Sequence, residues 1–163
     1  MKTKSSKQCD AWPVLPPDAA AGQRFGIAVG GYHREIGSKL LAGARATLVR
    51  YGASEPAMDV VWVPGCFELP VVLKRMAMSR RYDGLIALGL VIRGETPHFE
   101  YVGGEAARGI AQVAYDFGMP VGFGVLTTEN VKQAQERAGG RVGNKGEEAA
   151  TAVLQMIETL KGI

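Results

Sequence analysis

From Arg24 onward, short apolar runs alternate with longer stretches of helical periodicity. The runs FGIAV (25–29), DVVWV (59–63), GLIALGLVI (84–92) and PVGFGVLT (120–127) are too short for buried helices and rich in β-branched residues, which predicts strands covered on both faces. Between them, SKLLAGARATLVRYG (38–52) places Leu40, Leu41, Ala44, Leu48 and Val49 on one helical face, and ELPVVLKRMAMSRR (68–81) predicts a second helix. A third helix is expected from His98 to about Phe117, with Thr96 as N-cap and Pro97 at the first helical position, where its missing N–H costs nothing. Asn130 and Asn144 precede Gln133 and Glu147 by three residues, so a short helix (130–138) and a terminal helix (144–161) should close the chain around the Gly-rich turn GGRVGNKG (139–146). Strand and helix in alternation predict an α/β fold, a three-layer α/β/α arrangement around a four-stranded parallel sheet.

Residues 1–23 follow no such pattern. Three lysines stand near the start, and Pro13, Pro16 and Pro17 in WPVLPPDAAAGQ exclude a central strand or an ordinary helix. We expect an N-terminal Pro-rich arm over 1–23 and one domain over 24–163.

Composition narrows the class of function. A chain of 163 residues, 47% hydrophobic, has room for one domain with a sizeable core. The net charge of +3 is spread thinly, without the basic stripe that a nucleic-acid footprint needs. The isolated Cys9 and Cys66 and the two histidines form neither a disulfide framework nor a zinc pattern. No apolar stretch approaches the roughly 18 residues of a membrane span, and MKTKSSKQ lacks the apolar region of a secretory signal. A reducing, cytoplasmic location is expected. Only 21% of the residues are charged, which is little polar cover for so small a monomer.

Ligand crevices of open α/β sheets lie outside the carboxyl ends of the strands. There the sequence offers Gly30-Gly31-Tyr32-His33 after the first run, Pro64-Gly65-Cys66-Phe67-Glu68 after the second, and Arg93-Gly94-Glu95-Thr96-Pro97-His98 after the third. A glycine followed by a helix start presents N–H groups and a positive dipole end, which suits an anion such as phosphate; an ordinary helix cap accounts for the same residues. His98 beside it suits proton transfer near neutral pH, or is a surface histidine. Tyr32 and Phe67 can stack on a flat ring or belong to the core. Glu68 can accept ring N–H donors or stabilise a helix start, and Arg137 is either a second phosphate ligand or a solvated cation. Cys66 on the same rim has no nucleophile-elbow context. Neither a P-loop nor a G-x-G-x-x-G element is present.

The segments VPGCFELP (63–70), VIRGETPHFEYV (91–102), FGVLTTEN (123–130) and QERAGGRVGNKG (135–146), separated and in order, closely resemble the lumazine synthase family from about Arg24 to the last helix. The resemblance implies a flavodoxin-like fold and the penultimate step of riboflavin synthesis, with no metal or organic cofactor. It implies that Tyr32 stacks on the pyrimidine, that Cys66, Phe67 and Glu68 hold the ribityl chain, and that Leu90, Val91 and Ile92 meet the pyrimidine edge through backbone groups. Glu95 and Thr96 would bind the phosphate of the second substrate, and His98 would carry the proton. Phe123 and Arg137 would enter from a neighbouring subunit, Phe123 onto the ring and Arg137 onto the phosphate, and Lys145 would approach the ribityl chain. Cys66 stands where the family commonly has Ala, Leu90 where a small or hydroxyl-bearing residue is frequent, His33 in place of a common Asn and Gly31 in place of a frequent basic residue.

The partners implied are the small-molecule substrates, further copies of the chain and riboflavin synthase; neither nucleic acid nor membrane is among them. The family's unit is a pentamer, and in some members twelve pentamers close a hollow shell. Two cues to assembly disagree: GGRVGNKG has no insertion, as in shell-forming members, whereas WPVLPP interrupts the strand addition that aids them. Two other readings keep the fold and drop the reaction. A flavin or lumazine carrier needs Tyr32 and Phe123 but has no use for His98 and Arg137, while a flavodoxin-like nucleotide module predicts a Ser/Thr-rich first loop where this chain has GGYHRE.

Overall fold

The computed structural model describes residues 14–163; Cys9 and most of the expected arm lie outside the described residues. Strand β1 (Phe25–Gly30), helix α1 (Arg34–Arg50), β2 (Met58–Val63), α2 (Leu69–Met78), β3 (Gly84–Ile92), α3 (His98–Phe117) and β4 (Val121–Thr128) alternate along the chain. Helix α4 (Val131–Arg137), the short strands β5 (Ala138–Gly140) and β6 (Gly143–Asn144) and helix α5 (Lys145–Leu160) complete it. The four long strands form one sheet in the order β2-β1-β3-β4, and every neighbouring pair is parallel. This is the predicted α/β architecture.

Why the apolar runs become central strands is visible in their alternation. On β3, Ile86, Leu88 and Leu90 join the core under α1 and α5, whereas Leu85, Ala87 and Val91 join the core under α2 and α3. Both faces are thus lined by one strand, as a parallel sheet between two helical layers requires. The strand order places β1 and β3, the two fully flanked strands, side by side at the centre. Chain connections leave them in opposite directions, so a crevice opens above their carboxyl ends.

Several boundaries differ from expectation. Helix α1 begins at Arg34 rather than Ser38: the Arg34 guanidinium stacks 4.7 Å from the centre of the Trp62 ring and Ile36 is buried, so tertiary contacts recruit a turn that local periodicity left out. Val49, expected on the buried face, is exposed, while Leu40, Ala44 and Leu48 are buried. The second helix starts after a 3₁₀ turn at Cys66–Glu68 and ends at Met78. Pro97 precedes α3 instead of opening it, and no side chain caps that end. Its φ of −69° suits a helix but its ψ of 7° does not, which leaves the Glu100 N–H to Pro97 C=O bond of 3.0 Å closing a tight first turn. The turn at 139–146 contains the β5–β6 pair.

Both asparagine caps form. The Asn130 side chain accepts from the Gln133 N–H at 2.9 Å. Asn144 does more, since its Oδ1 accepts from Gly146 N–H at 2.8 Å while its Nδ2 donates to the Lys39 carbonyl of α1 at 3.0 Å. Beside that joint, Gly146 lies so close to the Leu40 carbonyl that a methyl group would run into it. Before β1, Ala19 and Ala20 are buried, and the Ala20 N–H donates to Tyr51 C=O at 2.8 Å, docking this stretch on the end of α1.

Candidate active site

A cavity of about 430 Å³ opens at the carboxyl ends of β1 and β3, within the range of small-molecule sites. Two loops, the end of a strand and one helix build it. The loop after β1 supplies Tyr32 and His33; the segment after β2 supplies Gly65, Cys66, Phe67 and Glu68; the end of β3 supplies Leu90, Val91 and Ile92; and the first turns of α3 supply His98, Tyr101 and Val102.

Local hydrogen bonds explain why these groups converge. The Gly31 N–H donates to Val63 C=O at 2.8 Å and to Pro64 C=O at 3.1 Å, tying the first loop to the second. Tyr32 then lies over Gly65, where an added Cβ would stand 2.6 Å from its ring, so the chain passes beneath the phenol only because that residue has no side chain. Glu68 folds back, and its Oε2 accepts the Gly65 N–H at 3.0 Å. On the far side, Arg93 anchors the third loop. Its guanidinium binds Glu129 at 3.0 Å and Glu100 at 3.4 Å and stacks on Phe99 at 4.5 Å. Hydrogen bonds to Glu129 and Glu100 raise its pKa further and leave it charged.

The walls divide the chemistry. Leu90 and Val91 form a buried apolar floor. The aromatics stand proud of it: Tyr32 is 78% and Phe67 60% exposed, so both rings face open space rather than core. Cys66 is buried, and burial, reinforced by Glu68 and opposed by a Leu90 backbone hydrogen bond, pushes its thiol up to about 11. A thiol so held is neutral at physiological pH and is no nucleophile. His98 is exposed at the start of α3. Among the described residues, no three His, Cys, Asp or Glu side chains are grouped to hold a metal.

Eight of the expected site residues therefore share one cavity, namely Tyr32, Cys66, Phe67, Glu68, Leu90, Val91, Ile92 and His98. The other five do not line it. Glu95 and Thr96 lie exposed in the loop leading to His98. Phe123 projects from β4 into a separate shallow depression with Ala111 and Tyr115 of α3. The Arg137 guanidinium donates to Gln133 C=O at 3.1 Å, and Lys145 pairs with Glu148 at 2.6 Å. Sequence reasoning missed Tyr101 and Val102 as lining residues. Their spacing from His98, three and four positions along a helix, puts them on the same face and was the available signal.

Comparison with known proteins identifies the family. The sequence model of the 6,7-dimethyl-8-ribityllumazine synthase family matches residues 22–161. The chain belongs to that family. Two curated relatives, each named 6,7-dimethyl-8-ribityllumazine synthase and coming from two strains of Clostridium kluyveri, are 51% identical to it over 142 residues, covering 87% of this chain and 92% of the relative. The lumazine synthase match thus spans the whole sheet, both helical layers and every wall of the cavity. Among the described residues no helix is long and apolar enough to cross a membrane.

Proposed function

We propose that this chain condenses 5-amino-6-(D-ribitylamino)uracil with 3,4-dihydroxy-2-butanone 4-phosphate, giving 6,7-dimethyl-8-ribityllumazine, phosphate and water, the penultimate step of riboflavin synthesis. The observation that carries the reading is the convergence of the Tyr32, Cys66–Glu68, Leu90–Ile92 and His98 positions on one cavity in a chain of the lumazine synthase family.

In this reading Tyr32 stacks on the pyrimidine, the Leu90–Ile92 backbone meets its edge, and the Cys66–Glu68 segment holds the ribityl chain. Glu95, Thr96 and the first turn of α3 bind the phosphate, whose charge suits N–H groups that have no partner within the helix. The uracil amine attacks the ketone, and His98 shuttles the proton that lets the carbinolamine lose water to an imine. Departure of phosphate develops negative charge that the helix start and Arg137 stabilise. Holding two reactive partners in register supplies much of the acceleration, so His98→Ala should slow turnover by roughly 10- to 100-fold, toward the low end of general acid–base effects, without abolishing it. Full rate at saturating substrates would remove His98 from the mechanism.

The unit we propose is a homo-oligomer, a pentamer or a shell of pentamers, in a reducing cytoplasm and with riboflavin synthase as a further partner. Residues 24–163 form its lumazine synthase domain and 1–23 its arm. Support comes from Phe123 and Arg137, which stand outside the chain's own cavity and would complete a neighbour's, with Lys145 reaching the ribityl chain. Mixing the protein with both substrates while following lumazine absorbance and phosphate release tests the activity. Tight binding of the lumazine without turnover would replace it with the carrier reading.

A further inference from the structure

The stretch from Gly94 to His98, which the proposed reaction uses for phosphate and proton, has little of its own to hold it. Every residue in it is exposed, a side chain added at Gly94 would meet nothing, and Gly94, Glu95 and Thr96 make no hydrogen bond among the described residues. Free N–H groups are what an anion needs, but a loop without internal bonds does not keep them in one arrangement.

Arg93 stands at the entrance of that loop. Its N–H donates to Thr128 C=O at 2.9 Å, one step past the Ile92–Thr128 pair that ends the β3–β4 ladder, so its backbone belongs to the sheet. Its side chain closes the loop. Nε binds Glu129 at 3.0 Å, Nη1 binds Glu100 at 3.4 Å, and Cζ lies 4.5 Å from the centre of the Phe99 ring. Glu129 is held in turn, its N–H donating to Gln133 Oε1 of α4 at 3.0 Å. Phe99 and Glu100 directly follow His98 in the first turn of α3. A lone ion pair on the surface would contribute little; here one planar cation joins a strand end, the turn after β4 and the start of α3, and its rigid fork sets direction as well as distance. The guanidinium itself does not line the cavity.

We propose that Arg93 is a positioning residue for the condensation: by clamping Phe99 and Glu100 to the end of the sheet, it sets where His98 and the phosphate-binding N–H groups stand. The inference rests on the proposed function, which supplies the phosphate-bearing substrate and the role of His98. Tyr32 and the Cys66–Glu68 segment belong to other loops, so the uracil side is outside its control.

Steady-state kinetics with each substrate varied in turn test it. Arg93→Met, which keeps an apolar stem beside Phe99 but loses the fork, should raise KM for butanone phosphate about tenfold, the order of one charge-assisted hydrogen bond. It should lower kcat about fivefold through misplacement of His98, with KM for the uracil within about twofold and Tm within about 2 °C, as an exposed ion pair allows. In the His98→Ala background the same change should leave kcat unaltered while the rise in KM persists, because the imidazole it positions is gone. Arg93→Lys, which keeps the charge without the fork, should show the same pattern at smaller size, and it is read in the same way if Arg93→Met folds poorly. A matching rise in KM for both substrates, an unchanged kcat, or a kcat loss that multiplies with that of His98→Ala would each overturn the proposal. Absence of turnover in the unsubstituted protein would instead overturn the proposed reaction. The clamp would then be decided by titration with inorganic phosphate followed by phosphorus NMR: binding weakened about tenfold by Arg93→Met upholds it, and equal binding or none overturns it.

Discussion

The two faces of the sheet are finished to different standards. Under α1 and α5 the strands present large residues, Ile27, Val29, Ile86 and Leu88, all completely buried, and the two helices are locked together by Asn144 and the close approach of Gly146 to Leu40. Under α2 and α3 the central strands present Ala28 and Ala87, and the helices cover the middle of the sheet but not its edges. Val61 on one edge strand and Phe123 on the other face this same side, 39% and 49% exposed, and Tyr115 of α3 is 80% exposed. A face that is sealed within one chain stabilises that chain; a face left apolar at both margins is suited to burial against other chains. The scarcity of charge in the composition thereby acquires a location.

Three changes probe that contrast. The largest effect is expected on the sealed face, where Gly146→Ala forces a methyl group against the Leu40 backbone. Overpacking that only main-chain movement can relieve should cost about 3 kcal/mol, lowering Tm by roughly 6–12 °C for a chain of this size. A loss below about 1 kcal/mol in denaturant titration would show that α5 slides freely on α1. Next, Val61→Lys combined with Tyr115→Lys on the open face should change the fold's stability within about 0.5 kcal/mol per site, as exposed substitutions do, while reducing the assembled mass seen by light scattering. An unchanged mass would mean that this face is not an interface.

The smallest effect concerns Cys66, in the core beneath α2 and α3. Burial raises its folded pKa to about 11 from 9.0, so its contribution is fully present below pH 9 and is lost as pH rises through 11. The wild-type chain should therefore lose stability over that window more steeply than Cys66→Ala, in paired denaturation curves. Parallel curves would place the thiol in a wetter setting.

Much of the fold could be read in the sequence because its strands are encoded twice, by β-branched composition and by apolar runs without interruption, as in GLIALGLVI. The asparagine caps of α4 and α5 were equally legible, being local. The beginning of α1 was not: the turn from Arg34 forms because a guanidinium meets the Trp62 ring, and no periodicity within one segment reports a contact with another. Val49 shows the converse, an apolar residue at helical spacing that the described residues leave about half exposed. The site was legible at the loop tips, where family motifs name residues, and the lining by Tyr101 and Val102 was equally available from the helix start expected at His98, three and four residues before them. His33 was legible both as a rim residue after the first run and as a departure from the family's common Asn, and it lines the cavity.

Asn144 carries a consequence for how the molecule is made. One side chain holds the start of the last helix and simultaneously grips the Lys39 carbonyl, a partner 105 residues earlier. During synthesis at about 5–20 residues per second, α1 waits several seconds for the residue that fastens it, and until then the flank of α1 that packs on α5 has no permanent cover. The nascent chain is at greatest hazard of misassociation along that flank in that interval, so truncation before α5 should leave a product that aggregates rather than a smaller working protein.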